Sequence, residues 1–187
     1  PDLPILTAQL NRLHAQSEES DPIDDVGQRG WSIVREAQRQ AAHTIPHLSV
    51  VPTLDLALSD MIHNNPSGTL LLGERMAHAA LATIYGRDIH YAAPHVQTAQ
   101  LVDHGQRIAL TFAHVSDRMD STDQAANCFV VEDEAGMVSM AQVEYPMDAT
   151  IQLVLTRSLV GRAVVHGAFG YDPQLAPVDM DRHMPML

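Results

Sequence analysis

Asp60 and His63 stand three residues apart in the stretch Asp60-Met61-Ile62-His63, after an apolar run from Leu48 to Leu58 and before the turn Asn64-Asn65-Pro66-Ser67-Gly68. A general-base histidine must present one ring nitrogen to a nucleophile while an acceptor holds the other N–H. A carboxylate three residues earlier on a tight loop can reach that N–H and stabilise the imidazolium formed during reaction. By spacing alone, the motif fits equally a base with its orienter and an incidental ion pair on a solvated loop. The nucleophile that such a base would serve has no strand-turn-serine-helix signature anywhere in the chain.

The elements that must position this loop are legible as periodic patterns. Pro4 to Leu10 reads as a short buried strand, and Trp31 to His43 has helical spacing. Trp31, Val34, Ala37 and Ala41 would form the helix's apolar face, with Arg35, Glu36, Arg39 and Gln40 opposite, and Pro46 beyond its end. Leu48 to Leu56 reads as a second, parallel strand covered on both faces, although Pro52 removes a ladder donor. Thr69 to Tyr85 is the clearest helix, with Leu72, Met76, Ala79, Ala80 and Ile84 as its buried stripe and Gly86 as its stop. Strand, helix, strand, helix with short links predicts parallel units of a three-layer α/β domain, with the Asp60/His63 loop beyond a strand's carboxyl end.

The pattern changes near Arg87, with a boundary between residues 86 and 94. The strand-like runs 96–102 and 107–112 flank Asp103-His104-Gly105-Gln106, and the runs 128–132 and 137–143 flank Asp133-Glu134-Ala135-Gly136, both hairpin signals. Runs at 150–155 and 161–167 follow, and together they predict a small antiparallel β-sandwich. The expected division is residues 1–88 and residues 89–187.

Composition excludes several classes of function. The 187 residues carry a net charge of −12, which argues against nucleic acid or an anionic membrane as partner. No apolar run approaches the ~18 residues of a membrane span. All 11 basic residues are Arg, so Lys-based Schiff-base chemistry is ruled out. Lone Cys128 forms no internal disulfide and reads as an inert core thiol. His14, His78 and the other histidines besides His63 lack zinc-ligand spacing, His78 reading as a partly buried, satisfied side chain, and no metal is expected. The polar run Asp117 to Asp123 lacks the glycine of a calcium loop. The acidic run Glu132-Asp133-Glu134 reads as a solvated hairpin tip, and the acidic stretch from Glu18 to Asp25 as a surface loop. Gln9 and Asn11 lie at the end of the first strand, where they are loop polars within reach of a bound sugar. Asn64 belongs to the turn after His63 and shares that rim. Trp31 reads as a packing residue at a helix start.

The run Trp31-Ser32-Ile33-Val34-Arg35-Glu36-Ala37-Gln38, then Val51-Pro52-Thr53-Leu54-Asp55-Leu56, then Asp60-Met61-Ile62-His63, then Leu72-Gly73-Glu74-Arg75-Met76-Ala77 is more specific than its parts. It resembles the C-terminal segment of the sialate O-acetylesterase-like carbohydrate esterases of the SGNH hydrolase superfamily. The resemblance is strongest over roughly residues 1–88. It implies the later part of a flavodoxin-like three-layer α/β/α domain followed by a β-rich domain, and deacetylation of carbohydrate, whether sialate, xylan or another glycan. His63 would be the general base and Asp60 its orienter, with no cofactor. The family's Gly-Asp-Ser or Gly-Gln-Ser block and its oxyanion-hole blocks have no match here, so a preceding segment or second chain would complete the site. Pro1 opening directly into a core strand agrees with that expectation. The family favours a secreted or periplasmic location, which this chain leaves open. The rival expectation is a non-catalytic glycan-binding or interaction module whose Asp60/His63 loop is a relic.

Overall fold

In the computed structural model of the chain, which describes residues 3–15, 26–121, 128–173 and 176–187, two units are formed. The first holds Pro1–Ala93, Gly170–Pro173 and Leu187, the second Pro94–Phe169 and Gln174–Met186. The acidic residues from Glu18 to Asp25, and Thr122 and Asp123 of the polar run, lie outside the described residues. No described helix is long and apolar enough to cross a membrane.

In the first unit, β1 (Ile5–Ala8) and β2 (Leu48–Val51) pair in parallel, Ile5 opposite Leu48 and Ala8 opposite Val51. α1 (Val26–Thr44) connects them, and α2 (Pro66–Thr83) follows β2. The first unit is thus mixed α/β, as the periodicity predicts, with one two-stranded parallel sheet. Both strands are shorter than expected. β2 stops at Val51 because Pro52 has no N–H for the ladder. β1 is half-exposed rather than buried.

The helices pack with an unexpected face. Arg35 and Arg75 are 4% and 6% exposed, whereas Val34 and Ile33 on α1 and Leu70 and Ile84 near α2 lie in solvent. Ala37, expected on the buried face, is also exposed, and Ala79 is the one fully buried member of the α2 stripe. His78, expected to be partly buried, is exposed as well. Arg75 is accepted inside because its Nη groups find carbonyl and carboxylate partners. Arg75 Nη1 donates to Pro52 O at 3.2 Å and to Asp55 Oδ1 at 2.7 Å, and Nη2 to Asp55 Oδ2 at 2.6 Å. Arg35 donates to Gly170 O.

The second unit is all antiparallel. β3 (His95–Val102) and β4 (Arg107–Ala113) form the first predicted hairpin, with β9 (Thr150–Leu155) beside β4 and β8 (Met140–Glu144) beside β9. β6 (Phe129–Asp133) lies between β7 (Gly136–Val138) and β10 (Ala163–Gly167). A third sheet joins β5 (Met119–Asp120), β11 (Val178–Asp179) and β12 (Met184–Pro185). The single strand expected over 137–143 is therefore two, which part at Ser139 and join different sheets. Thr156 holds that break, its N and Oγ1 donating to Ser139 O at 3.0 and 2.9 Å. Strand alternation builds the core: Ile108, Leu110 and Phe112 of β4, and Ile151, Leu153 and Leu155 of β9, are buried. The tip Glu132-Asp133-Glu134 is structured rather than merely solvated. Asp133 accepts from Arg157 at 2.5 and 3.0 Å, from Val160 N at 2.8 Å and from Ala135 N at 2.9 Å.

Candidate active site

The chain leaving β2 makes a closed turn before α2. Leu58 and Asn64 form an antiparallel bridge, Ser59 N donates to His63 O at 2.8 Å, and Asn65 N donates to Ala57 O at 2.9 Å. Inside the turn, Asp60 Oδ1 accepts from Ile62 N at 2.9 Å and His63 N at 2.8 Å. An aspartate that bonds main-chain N–H groups two and three residues on is a local turn-former, so the sequence itself specifies this loop. The other oxygen, Oδ2, lies 2.8 Å from His63 Nδ1. The main-chain N–H groups of Ile62 and His63, followed by the His63 ring, draw the Asp60 carboxyl down to about 2. With Nδ1–H donating to the carboxylate, His63 presents Nε2 as its free basic nitrogen. The His63 side chain is 76% exposed.

Asn65 caps α2, its Oδ1 accepting from Gly68 N at 2.8 Å, and Pro66 occupies the first helical turn, where its missing N–H costs nothing. Gly68 is required by space. A Cβ there would lie 2.7 Å from Ala57 O, so the first turn of α2 is pressed onto the strand exit.

The segment leaving β1 runs alongside. Gln9 N donates to Val51 O at 2.8 Å, Thr53 Oγ1 donates to Gln9 O at 3.1 Å, and Gln38 of α1 clamps both sides by accepting from Leu10 N and donating to Ala8 O. Gln9 is 4% exposed, and its Oε1 is buried with no hydrogen-bond partner among the described residues. Asn11 Nδ2 donates to Asn64 Oδ1, which ties this segment to the residue after His63. Trp31 Nε1 donates to Asn11 O at 2.8 Å and its ring meets Tyr171 edge-on at 5.9 Å, a packing role for the indole. The structure thus brings Asn11 and Asn64 together beside His63 and leaves the Gln9 side chain enclosed.

Sequence reasoning missed a second group on this rim. His14 N donates to Met61 O at 2.7 Å, inside the Asp60/His63 loop. His14 Nδ1 lies 2.8 Å from Asp172 Oδ2, and Arg12 Nη1 donates to Asp172 Oδ1 at 2.8 Å. No local signal could have found this pair, because its members are 158 residues apart.

No serine hydroxyl among the described residues bonds the His63 ring. The two nearest in sequence are engaged elsewhere, Ser59 Oγ on His63 O at 3.1 Å and Ser67 Oγ on Asn65 Oδ1 at 2.7 Å. Nor do three His, Cys, Asp or Glu side chains gather as metal ligands among the described residues.

The fold matches part of a solved esterase. A carbohydrate acetylesterase from Xanthomonas citri superposes with a TM-score of 0.74 at 20% identity, over 99% of this chain and 40% of that chain. At this identity the likeness is one of fold. The chain spans about two-fifths of the length of that enzyme. No protein-family model matches the chain, and a search of curated proteins gives no match.

Proposed function

We propose that this chain is the base-bearing part of a serine esterase that removes acetyl groups from carbohydrate. The observation that carries the reading is the 2.8 Å contact between Asp60 Oδ2 and His63 Nδ1, on a loop beyond a parallel strand of an esterase-like fold. His63 Nε2 takes the proton of a serine supplied by another segment or chain as the serine oxygen attacks the acetyl carbonyl. The tetrahedral intermediate expels the sugar oxygen, which receives that proton, and an acetyl-serine remains. Water then gives a proton to His63 as it attacks, the serine oxygen departs with that proton, and acetate is released. Asp60 keeps the imidazole in the productive tautomer throughout.

In this reading β1 and β2 belong to a wider parallel sheet of a three-layer domain, whose remaining strands come with the nucleophile. Surface chemistry supports it. Among the described residues, five buried apolar residues lie in the first unit against sixteen in the second, while twelve of the seventeen exposed large apolar residues lie in the first. Parallel sheets are stable when covered on both faces, and exposed apolar stripes mark contact surfaces.

The test is hydrolysis of an aryl acetate and of acetylated xylo-oligosaccharide by the protein together with its nucleophile-bearing part. His63→Ala is expected to abolish both activities. Full turnover by that variant overturns the reading and favours a glycan-binding module with a relic loop.

A further inference from the structure

His14 and His63 are presented in the same way. Each imidazole has Nδ1 2.8 Å from a carboxylate Oδ2, and each side chain is about three-quarters exposed, at 75% and 76%. Their main chains are joined through the His14 N to Met61 O bond, so the two rings rise from adjoining loops.

The carboxylates differ. Asp60 is a local turn-former on an exposed loop, whereas the Asp172 side chain is only 14% exposed. Asp172 is flanked by Arg12, also 14% exposed, which donates its other Nη to Leu56 O at 3.0 Å. The buried Arg35 guanidinium also senses the Asp172 charge. Leu13 N donates to Tyr171 O at 2.9 Å, so the two segments are pinned next to the ion pair. Because the His14 ring is three-quarters exposed, its pairing with Asp172 adds little to stability. It does fix the tautomer and direction of that ring, which is what hydrogen bonding to a ligand requires.

We propose that His14, held by Asp172, is a substrate-positioning residue whose Nε2 hydrogen-bonds a carbohydrate hydroxyl beside the acetyl ester attacked at the His63 site. The inference rests on the esterase reading and adds to it a residue that reads the sugar rather than the acyl group. An aryl acetate carries the acyl group without the hydroxyl, so the two substrates separate the roles.

The experiment measures kcat and KM for His14→Ala, His14→Gln, Asp172→Asn and His63→Ala in the protein with its nucleophile-bearing part, on acetylated xylo-oligosaccharide and on an aryl acetate. For His14→Ala, the ratio of kcat/KM on the oligosaccharide to that on the aryl acetate is expected to fall about tenfold, the effect of one lost hydrogen bond to substrate. KM should carry most of that fall. His14→Gln, which keeps a hydrogen-bonding group at the end of its side chain, is expected to restore part of the ratio, and Asp172→Asn to lower it. An unchanged ratio, including equal losses on both substrates, overturns the His14 role and leaves the esterase reading intact. A selective loss for His14→Ala alongside full turnover by His63→Ala overturns the base assignment and keeps the His14 role. No turnover of either substrate by the unaltered protein removes both.

Discussion

Asp60 grips His63 at two places, accepting from its main-chain N–H with Oδ1 at 2.8 Å and facing its ring Nδ1 with Oδ2 at 2.8 Å. One carboxylate thereby shapes the loop and sets the ring. The two tasks come apart on substitution. In Asp60→Asn the side-chain oxygen can still accept from the main chain, but the amide nitrogen offers a donor to Nδ1 and favours the wrong tautomer. We expect kcat for aryl acetate hydrolysis to fall by on the order of 10⁴-fold, as an amide orienter does in serine proteases, with KM and melting temperature little changed.

The same contacts set a pH dependence. The folded Asp60 carboxyl lies at about 2, below the ordinary 3.8, because the main-chain N–H groups of Ile62 and His63, and then the ring, favour the ionised form. A depressed carboxyl stabilises the fold above its ordinary value, and that contribution is lost as pH falls through about 2. A carbon-detected NMR titration of Asp60 should give a midpoint near 2. A midpoint at 3.8 would show that the turn is not closed in solution.

The Arg75–Asp55 pair should matter for stability. Asp55 takes both Nη groups of a guanidinium whose side chain is 6% exposed, and its own side chain is 28% exposed. Asp55→Asn leaves a buried cation short of its counter-charge and should cost about 2 kcal/mol in urea unfolding, less than the ~3–5 kcal/mol of a fully buried pair because Asp55 reaches solvent. Arg75→Met removes the buried cation and leaves only Asp55, which reaches solvent, so it should cost less than Asp55→Asn.

Cys128 should be inert while the chain is folded. Burial pushes its thiol up to about 11. At pH 8 roughly one molecule in a thousand then carries the thiolate that alkylating agents need. Iodoacetamide labelling followed by mass should be slow in buffer and fast in urea; fast labelling in buffer would contradict the packing around Phe129 and Ala168.

The apolar faces of α1 and α2 should govern association. Ile33 is 59% exposed and Leu70 is 74% exposed. Ile33→Glu and Leu70→Glu should make the isolated chain less prone to self-associate in sedimentation and, on the proposed esterase reading, weaken activity with the proposed nucleophile-bearing part. Unchanged behaviour in both assays would mean these faces meet solvent in the working protein.

How far the sequence reveals these relationships depends on separation along the chain. The Asp60/His63 loop is legible because its contacts span three residues. The two parallel strands, both helices and the hairpin across Asp103 to Gln106 are legible because their patterns are local and periodic. The inward face of α1 is not. Periodicity says that Val34 and Arg35 lie on different faces, but a helix with apolar residues outside and arginine inside breaks the rule used to choose between them. β5, β11 and β12 hold two residues each, too short for any period, and β5 meets β11 from about sixty residues away. Asp172 meets His14 across an even longer span, so only the fold introduces them.

Gly68 gives the loop an unsuspected fragility. The first turn of α2 rests so closely on Ala57 O that a methyl group has nowhere to go. The pressure would be relieved at the Asn65–Ala57 clasp that closes the loop around His63. The smallest side chain at Gly68, on a helix outside the loop itself, would thus work like a wedge under a hinge. A methyl group at Gly68 would shift the Asp60/His63 loop without altering either residue.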